Sequence, residues 1–576
     1  MNNAKKEYRW TLTEPPDQSV AARLSREINI PEPLAHVLAL RGIDTYDSAK
    51  AFFRPTVDQL HDPFLLGGMD AAVDRLIKAL QEGEKILVFG DYDVDGTNGA
   101  AMLYLFLREL GGTVEYYVPD RIEEGYGISR QGIDRAARGG VQLFLSVDCG
   151  ITAVEPVKYA NQLGLDVIIC DHHEPGPVLP PALAVLDPLK EGDAYPFKHL
   201  CGCGVGFKLI EGLARKVGKE TEVFSYLDFV ALASTADIVP LTGENRVLTK
   251  LGLETINARP RPGLEALIRG AGLHVGDIAT GQIVFVLGPR INAVGRLGDA
   301  TRAVKLLICT DPVEAEGLAA VLEEENVNRR KIDEDTFASA QHIAESQFDL
   351  DTDPAIVLHQ NDWHPGVVGI VASRMVEKYY KPSIMMATVD GVAKGSARSV
   401  SGFDIFEALR QCEDVIIQFG GHKYAAGLTV DIGRLDEFRS AFNKAVHSLM
   451  TEELRTREIR IDVELSLREL TPRFMRILKE FGPFGPGNLK PTFVAGNLEV
   501  VGTPRIVGKN HLRFKVRQDG RLIDAIGFGL GEHLQRVSGK RNDLECVFTV
   551  DENSWVSSSG ERVGNGQPQL KIKDLR

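Results

Sequence analysis

Three apolar runs of this chain end in carboxylates or imidazoles instead of ordinary turn residues. Ile86-Leu-Val-Phe-Gly90 runs into Asp91-Tyr-Asp93-Val-Asp95-Gly96, and Val141-Gln-Leu-Phe-Leu-Ser-Val147 runs into Asp148-Cys-Gly150. The third, Leu165-Asp-Val-Ile-Ile-Cys170, ends in Asp171-His172-His173. Apolar runs of this kind read as strands buried on both faces, which occur in parallel sheets. Open α/β sheets form their sites beyond the carboxyl ends of the strands. Five Asp and two His at one sheet edge are prohibitive to bury unless a cation neutralises them. The pattern therefore predicts a doubly wound, mainly parallel α/β sheet with a two-metal hydrolytic site at its edge.

The surrounding sequence agrees. Strand, loop and helix patterns alternate from Ile86, with Thr97 expected to cap a helix that Gly111-Gly112 stops. Thr113–Pro119 reads as the next strand, Ser129 as another cap, and Thr152–Leu163 as a helix. Before this unit, residues 1–75 read as helical and are punctuated by Pro31, Pro33, Pro55 and Pro63. After it, the charged stretch Asp311–Gln347 reads as one long helix joining domains. A second, smaller α/β domain opens at Ala355-Ile-Val-Leu-His359. From about Arg455 the chain looks β-rich, with a helix at Leu470–Phe481. Its clearest strand, His511–Arg517, sets Leu512, Phe514 and Val516 on one face and His511, Arg513, Lys515 and Arg517 on the other. With Phe528 nearby, this fits an OB-type β-barrel tracking a single strand by phosphate contacts and stacking; a merely solvated strand face is the alternative.

A net charge of −14 excludes a uniformly basic surface, so a nucleic-acid partner needs a local basic groove. The seven Cys are scattered; Cys201-Gly-Cys203 has no second Cys/His pair to complete a zinc site and reads as small loop residues. The segment Met1–Glu7 carries no secretory core and no apolar run reaches transmembrane length, so a reduced cytoplasmic protein is expected.

Two rival readings of Asp91-x-Asp93-x-Asp95-Gly96 fail. An EF-hand needs a Glu at the twelfth loop position, where this chain has Met102, and a helix in front instead of a strand. A haloacid-dehalogenase-type phosphatase would leave Asp148 and the double His without use. As metal ligands, Asp93 and Asp95 would face different ions and Asp148 would bridge them. In an extended His172-His173 pair the imidazoles project to opposite sides, one to metal and one to substrate. Oxygen ligands with one imidazole suit Mn²⁺ or Mg²⁺, and two such ions serve phosphoryl chemistry. Asp237, in Ala233-Ser-Thr-Ala-Asp-Ile-Val-Pro240, is the best further ligand downstream.

Taken in order, these residues resemble the motifs of the DHH phosphoesterase superfamily. Phe419-Gly-Gly-His-Lys-Tyr-Ala-Ala-Gly427 is similar to the glycine-rich motif of its associated domain. Gly288-Pro-Arg-Ile-Asn-Ala-Val-Gly-Arg296, Trp363-His-Pro-Gly-Val-Val-Gly369 and Phe481-Gly-Pro-Phe-Gly-Pro-Gly-Asn488 resemble, within it, the bacterial RecJ family of single-strand-specific 5′→3′ exonucleases. The resemblance implies a helical leader over 1–75, a catalytic DHH domain over 76–305 and a connecting helix over 306–348. The DHH-associated domain would then occupy 349–450 and an OB-like domain 455–576. It implies Asp93, Asp95, Asp148, His172 and Asp237 as ligands of two Mn²⁺ or Mg²⁺ ions, Asp91 beside them, and His173 on the scissile phosphate. Gly420, Gly421 and His422 would meet a phosphate, and Ser396, Arg398 and Arg121 a terminal 5′-phosphate. Arg290, Asn292 and Arg296 would line a narrow path between the two α/β domains, with interdomain salt bridges as the alternative. Arg513 and Lys515 would hold the strand.

The implied activity is release of 5′-mononucleotides from single-stranded DNA in repair and recombination, by a monomer with a helicase and a single-strand-binding protein as partners. The alternatives are a phosphodiesterase for short oligoribonucleotides or cyclic dinucleotides, which would not need the third domain, and a non-catalytic single-strand-binding scaffold. Thr97-Asn98-Gly99 departs from relatives and puts the helix start after the first motif in question.

Overall fold

The computed structural model describes residues 8–14, 17–539, 543–556 and 562–576; Met1–Glu7, where no secretory core was expected, lies outside them. The chain divides into two compact units, Leu12–Glu323 with Arg460–Arg576, and Met1–Thr11 with Glu324–Ile459. It passes from one to the other within the helix Pro312–Gln347. Strand β1 (Tyr8–Leu12) pairs with β12 (Arg457–Ile461), so the leader expected to be helical contains a strand.

In the larger unit, β2 (Lys85–Gly90), β3 (Thr113–Tyr117), β4 (Leu143–Val147), β5 (Asp166–Cys170) and β6 (Ala184–Leu186) form one parallel sheet. Its order is β3-β2-β4-β5-β6, so the chain reverses direction of winding between β2 and β4. Crevices open at such switch points, and Asp91 and Asp148 follow these two strands. Strands β2 and β4 are buried along nearly their whole length because helices cover both faces, which is why they read as unbroken apolar runs.

The same unit contains β13 (Val463–Glu464), β14 (Phe493–Val507), β15 (His511–Gln518), β16 (Arg521–Gly527), β17 (Leu544–Val556) and β18 (Arg562–Leu575). The β14–β17 pairing closes five of them into a barrel, and β13 adds alongside β14. Leu512, Phe514 and Val516 point into its core, as their alternation predicts. The leader helices Gln18–Glu27, Glu32–Leu40 and Tyr46–Phe53 do not stand apart. Their Leu24, Leu34, Leu38 and Ala49 share one core with Phe474, Phe493, Phe548 and Leu570 of the barrel region.

The smaller unit holds β7 (Ile356–Gln360), β8 (Ser383–Val389), β9 (Val392–Arg398), β10 (Gln418–His422) and β11 (Ala425–Asp431) in the order β10-β11-β9-β8-β7. Only β7 and β8 pair in parallel. Trp363 is buried in its core, against Ala340 and Ala344 of the long helix, so its motif packs the domain.

Candidate metal centre and anion cradle

The carboxyl end of the parallel sheet gathers the residues that the sequence singles out. Asp93 caps the helix Val94–Glu109, its Oδ1 accepting the Asp95 and Gly96 N–H groups at 2.8 and 3.1 Å. The cap is Asp93, not Thr97: the Thr97 hydroxyl donates to the Asp93 carbonyl at 2.6 Å, and Asn98 donates to that of Val94 at 2.7 Å. A side-chain cap must precede the first turn, and Thr97 lies within it. These two bonds also hold the helix start that Thr97-Asn98-Gly99 put in question.

Asp95 accepts from Gly202 N–H at 2.6 Å and Cys203 N–H at 2.8 Å, at the N-terminus of the helix Gly202–Val217. That end favours a negative charge. Gly202 is required there by close approach, because a Cβ on it would stand 2.6 Å from the Asp148 Cα. Cys201 and Cys203 are buried at this helix start instead of in a loop, and the Cys201 thiol accepts the Gly204 N–H as its cap.

Asp148 sits at φ 65°, a left-handed conformation that Asp tolerates better than most residues. Its Oδ1 lies 3.2 Å from His172 Nε2, which is also 3.7 Å from Asp95 Oδ2 and 3.8 Å from Asp237 Oδ2. Three overlapping ligand groups result: Asp91, Asp93 and Asp148; Asp95, His172 and Asp237; and Asp148, His172 and His173. Within each, the ligand atoms lie within 4.8 Å of one another. Burial, then the surrounding carboxylates, pushes the Asp148 carboxyl well above its ordinary range; burial and Asp93 do the same to Asp91. Burial also keeps the His172 imidazole neutral, as a metal ligand requires.

Asp91 Oδ1 and His172 Nε2 are buried with no hydrogen-bond partner. Such atoms cost free energy unless something supplies their missing contact. Oxygen donors with an imidazole fit a hard divalent cation, so the residues present suit Mn²⁺ or Mg²⁺.

The two histidines depart from the extended pair expected, which would have faced opposite sides. The backbone turns at this point, and the two rings converge with centroids 4.4 Å apart. Asp171 organises them: it accepts from the Ile151 and His172 N–H groups at 2.8 Å each and lies 2.7 Å from His173 Nδ1. Burial opposes a charge on His173, but the Asp171 hydrogen bond and carboxylate outweigh it and hold the ring's pKa up to about 9. A raised histidine pKa contributes stability that is fully present below about 6.5 and lost as pH rises through about 9. In metal-free protein the His173 ring resonances should titrate near pH 9, and Asp171→Asn should return them toward 6.5.

Two residues beside this centre went unmarked in the sequence. Asp187 follows β6 as Asp91, Asp148 and Asp171 follow their strands, but a three-residue strand gives too short a run to read. Burial raises its carboxyl to about 7, and its Oδ2 has no partner. Tyr126 places its hydroxyl 3.2 Å from His173 Nδ1 and 3.3 Å from the Asp148 carbonyl. An aromatic between two glycines, Gly125 and Gly127, was the available signal.

Arg121 lies 4.9 Å over the ring of Tyr92, the residue between Asp91 and Asp93, and so sits beside the centre. The helix Gly288–Leu297 also reaches this loop: a Cβ on Gly295 would stand 2.6 Å from the Tyr92 carbonyl. It carries Arg290, Asn292 and Arg296. Arg290 is committed to Glu323 at 2.5 Å and to the Val286 carbonyl at 2.7 Å, whereas the Asn292 Oδ1 is buried without a hydrogen-bond partner.

In the smaller unit a second constellation forms. Across β10, β11 and β9, Gly420 faces Gly427, which faces Ser396; two rungs on, His422 faces Ala425, which faces Arg398. Gly420, His422, Ser396 and Arg398 therefore share one sheet face. The double glycine is part of an exposed edge strand, with Gly421 at φ 144°, not a turn. Arg398 donates to Ser396 Oγ at 2.7 Å. The helix Val368–Tyr379 begins over them, since a Cβ on Gly369 would stand 3.0 Å from Ser396 Oγ and 3.1 Å from Arg398 Nη2. A guanidinium, a hydroxyl and a helix N-terminus make an anion cradle.

On the barrel, the basic face of β15 is partly neutralised. Arg517 pairs with Glu499 through two short contacts of 2.5 and 2.7 Å, and Lys515 lies 3.8 Å from Asp524. Arg513 lies directly across from Arg505, an arrangement that repels unless an anion joins it. Phe528 is exposed and packs edge-on to His511 at 5.2 Å.

A parallel sheet with this carboxylate–imidazole edge, followed by an associated α/β unit, defines a protein of the DHH family. The model of the DHH family N-terminal domain matches residues 85–234, the DHHA1 domain 352–448, and the RecJ OB domain 461–574. The chain is 38% identical over 571 residues to the single-stranded-DNA-specific exonuclease RecJ of Bacillus subtilis (strain 168), covering 98% of this chain and 70% of that protein. With its namesake from Escherichia coli (strain K12) it shares 36% identity over 511 residues, 85% of this chain and 88% of that one. The crystal structure of RecJ from Thermus thermophilus in complex with Mn²⁺ superposes with a TM-score of 0.83 at 30% identity, covering 99% of this chain and 80% of that one. This chain belongs to the RecJ family.

Proposed function

We propose that this chain is a metal-dependent exonuclease that degrades single-stranded DNA from the 5′ end to 5′-mononucleotides. The observation that carries the reading is the set of overlapping ligand groups meeting at Asp148 and His172. Asp91, Asp93 and Asp148 would hold one divalent cation, and Asp95, His172 and Asp237 a second. Mn²⁺ or Mg²⁺ bound there supplies Lewis acidity to a phosphodiester and acidity to water. The chain's own groups do the rest. His173, protonated through the Asp171 contact, offers a positive N–H to the scissile phosphate, and Tyr126 fixes the same ring. Arg121 adds positive charge beside Asp91. Ser396, Arg398 and the start of the helix Val368–Tyr379 would take a terminal 5′-phosphate, with Gly420, Gly421 and His422 along the same sheet. On the barrel, Arg505 and Arg513 would share a backbone phosphate and Phe528 would stack on a base, with Lys515 beside them.

Digestion of 5′-labelled single-stranded DNA, duplex DNA and short RNA with Mn²⁺ tests this. Mononucleotides from the long single strand are expected; release from short RNA alone would establish the small-substrate phosphodiesterase instead. Arg398→Ala should cut the preference for 5′-phosphorylated over 5′-hydroxyl ends about tenfold, the worth of one charge-assisted contact. Equal relative rates would remove Arg398 from that role.

The seven cysteines are free thiols, which agrees with a reduced cytoplasmic setting. Among the described residues no helix is long and apolar enough to cross a membrane. We place the protein there as a monomer working with a helicase and a single-strand-binding protein, because a single-strand enzyme needs opened duplex.

A further inference from the structure

The metal centre draws all but one of its ligands from the ends of strands or from the segment directly after β2, Asp95 in the first turn of the helix Val94–Glu109 included. The exception is Asp237, which follows the helix Leu227–Ala236. No strand fixes it. The next residue, Ile238, is β-branched and sits at φ 62°, a conformation that such residues avoid unless the surroundings impose it. Just beyond it, Pro240–Thr242 meets the turn Phe481–Asn488 that leads into the barrel.

The contact is dense and directional. Leu241 N–H donates to the Pro486 carbonyl at 2.7 Å. Gly485 lies so close to Leu241 that a Cβ would stand 2.6 Å from its Cδ1 and 2.9 Å from its Cγ. From the catalytic side, Asn245 Nδ2 donates to the Pro240 carbonyl at 3.0 Å, and Thr280 Oγ1 donates to the Phe484 carbonyl at 2.7 Å.

The turn is itself held rigid. Asn488 Nδ2 donates to the Phe481 and Pro483 carbonyls at 2.9 and 2.7 Å, and Arg41 of the leader donates to Asn488 Oδ1. Arg246 is buried, with its guanidinium 3.7 Å over the Phe52 ring. It donates to the carbonyls of Phe52, Phe481 and Gly482 at 3.0, 2.9 and 3.0 Å. A buried cation spent on four main-chain carbonyls, that of Glu480 at 3.3 Å being the fourth, fixes backbone positions more than it balances charge.

We propose that the turn Phe481–Asn488 is a positioning element for Asp237. Seated on Leu241, it holds the strained Ile238 and thereby the carboxylate that completes the second cation group, so metal affinity depends on the barrel's attachment. The inference rests on the reading of the Asp/His cluster as a metal centre. A motif that otherwise looks like a glycine-rich linker becomes part of the catalytic apparatus without touching substrate.

The test is Gly485→Ala in the full chain. Mn²⁺ binding is measured by calorimetry with the metal alone, and kcat and KM on single-stranded DNA are measured separately. Mn²⁺ affinity and kcat should each fall about tenfold, the usual effect of disturbing a ligand's support, while KM for DNA stays within about twofold. The double variant Leu241→Ala/Gly485→Ala, which removes the Cγ and Cδ1 that the new methyl meets, should restore both. A lowered melting temperature with unchanged Mn²⁺ affinity and kcat would overturn the proposal, as would a folded double variant that restores neither. If Gly485→Ala does not fold, Thr280→Val carries the test by removing the hydroxyl that holds the Phe484 carbonyl. A fall in Mn²⁺ affinity and kcat supports the proposal, and no change in either overturns it. Wild-type protein that binds no Mn²⁺ would instead defeat the metal-centre reading itself.

Discussion

Asp148→Asn should abolish nucleotide release and, in the absence of metal, raise the apparent melting temperature. Asn is the informative replacement because it tolerates the left-handed conformation at φ 65°. It keeps the shape and removes the charge. Asp148 belongs to the first cation's ligand group and lies 3.2 Å from His172 of the second, so its loss should weaken the first position directly and disturb the second, and cost at least about 10³-fold in kcat.

The stability effect has the opposite sign. Burial and the neighbouring Asp95, Asp93, Asp91 and Asp237 raise the Asp148 carboxyl's pKa in the folded state. Between the ordinary value of 3.8 and the raised one, the folded protein holds more protons than the unfolded chain. Metal-free stability therefore falls as pH rises through that window. Melting curves against pH in chelator should show the fall, Mn²⁺ should cancel it, and Asp148→Asn should flatten it. A variant that melts lower than the parent in chelator would show that Asp148 serves the fold instead of burdening it.

Gly202→Ala should be nearly as damaging, by a different route. The added methyl would stand 2.6 Å from both Cα and Cβ of Asp148 and 2.7 Å from its Oδ1. Those atoms belong to a strand end and a short side chain, so neither can swing aside. The helix Gly202–Val217 must retreat, and the Gly202 and Cys203 N–H groups leave Asp95 with it. Overpacking of this kind costs about 1–3 kcal/mol, and a buried carboxylate losing two donors adds to it. Denaturant unfolding should show the loss, and Mn²⁺ titration should show weaker binding. Unchanged Mn²⁺ affinity in a destabilised protein would separate the helix from the metal site.

The strand ends were legible because a parallel sheet covered on both faces gives unbroken apolar runs, and nothing in packing explains a carboxylate after each. Asp187 escaped because β6 has three residues, too few to separate from a loop. Strand β1 escaped for a different reason: its partner β12 lies beyond both α/β sheets in the sequence, and no local pattern encodes that pairing. The ligand types were legible, but their directions were not. His172 and His173 converge because Asp171 draws the second ring toward itself, a side-chain hydrogen bond between residues two apart that overrides the alternation of an extended pair. The basic stripe of β15 was legible as charge, yet Glu499 neutralises Arg517 from the neighbouring strand, which only the register reveals.

The core shared by the leader helices and the barrel has a consequence for biosynthesis. Leu24, Leu34 and Leu38 emerge from the ribosome long before Phe493, Phe548 and Leu570, which cover them. At ordinary translation rates that interval is on the order of tens of seconds. Throughout it the apolar faces of the leader helices wait for the barrel residues that cover them. If the turn Phe481–Asn488 seats Asp237, a nascent chain whose parallel sheet has already formed should bind Mn²⁺ weakly until that turn emerges.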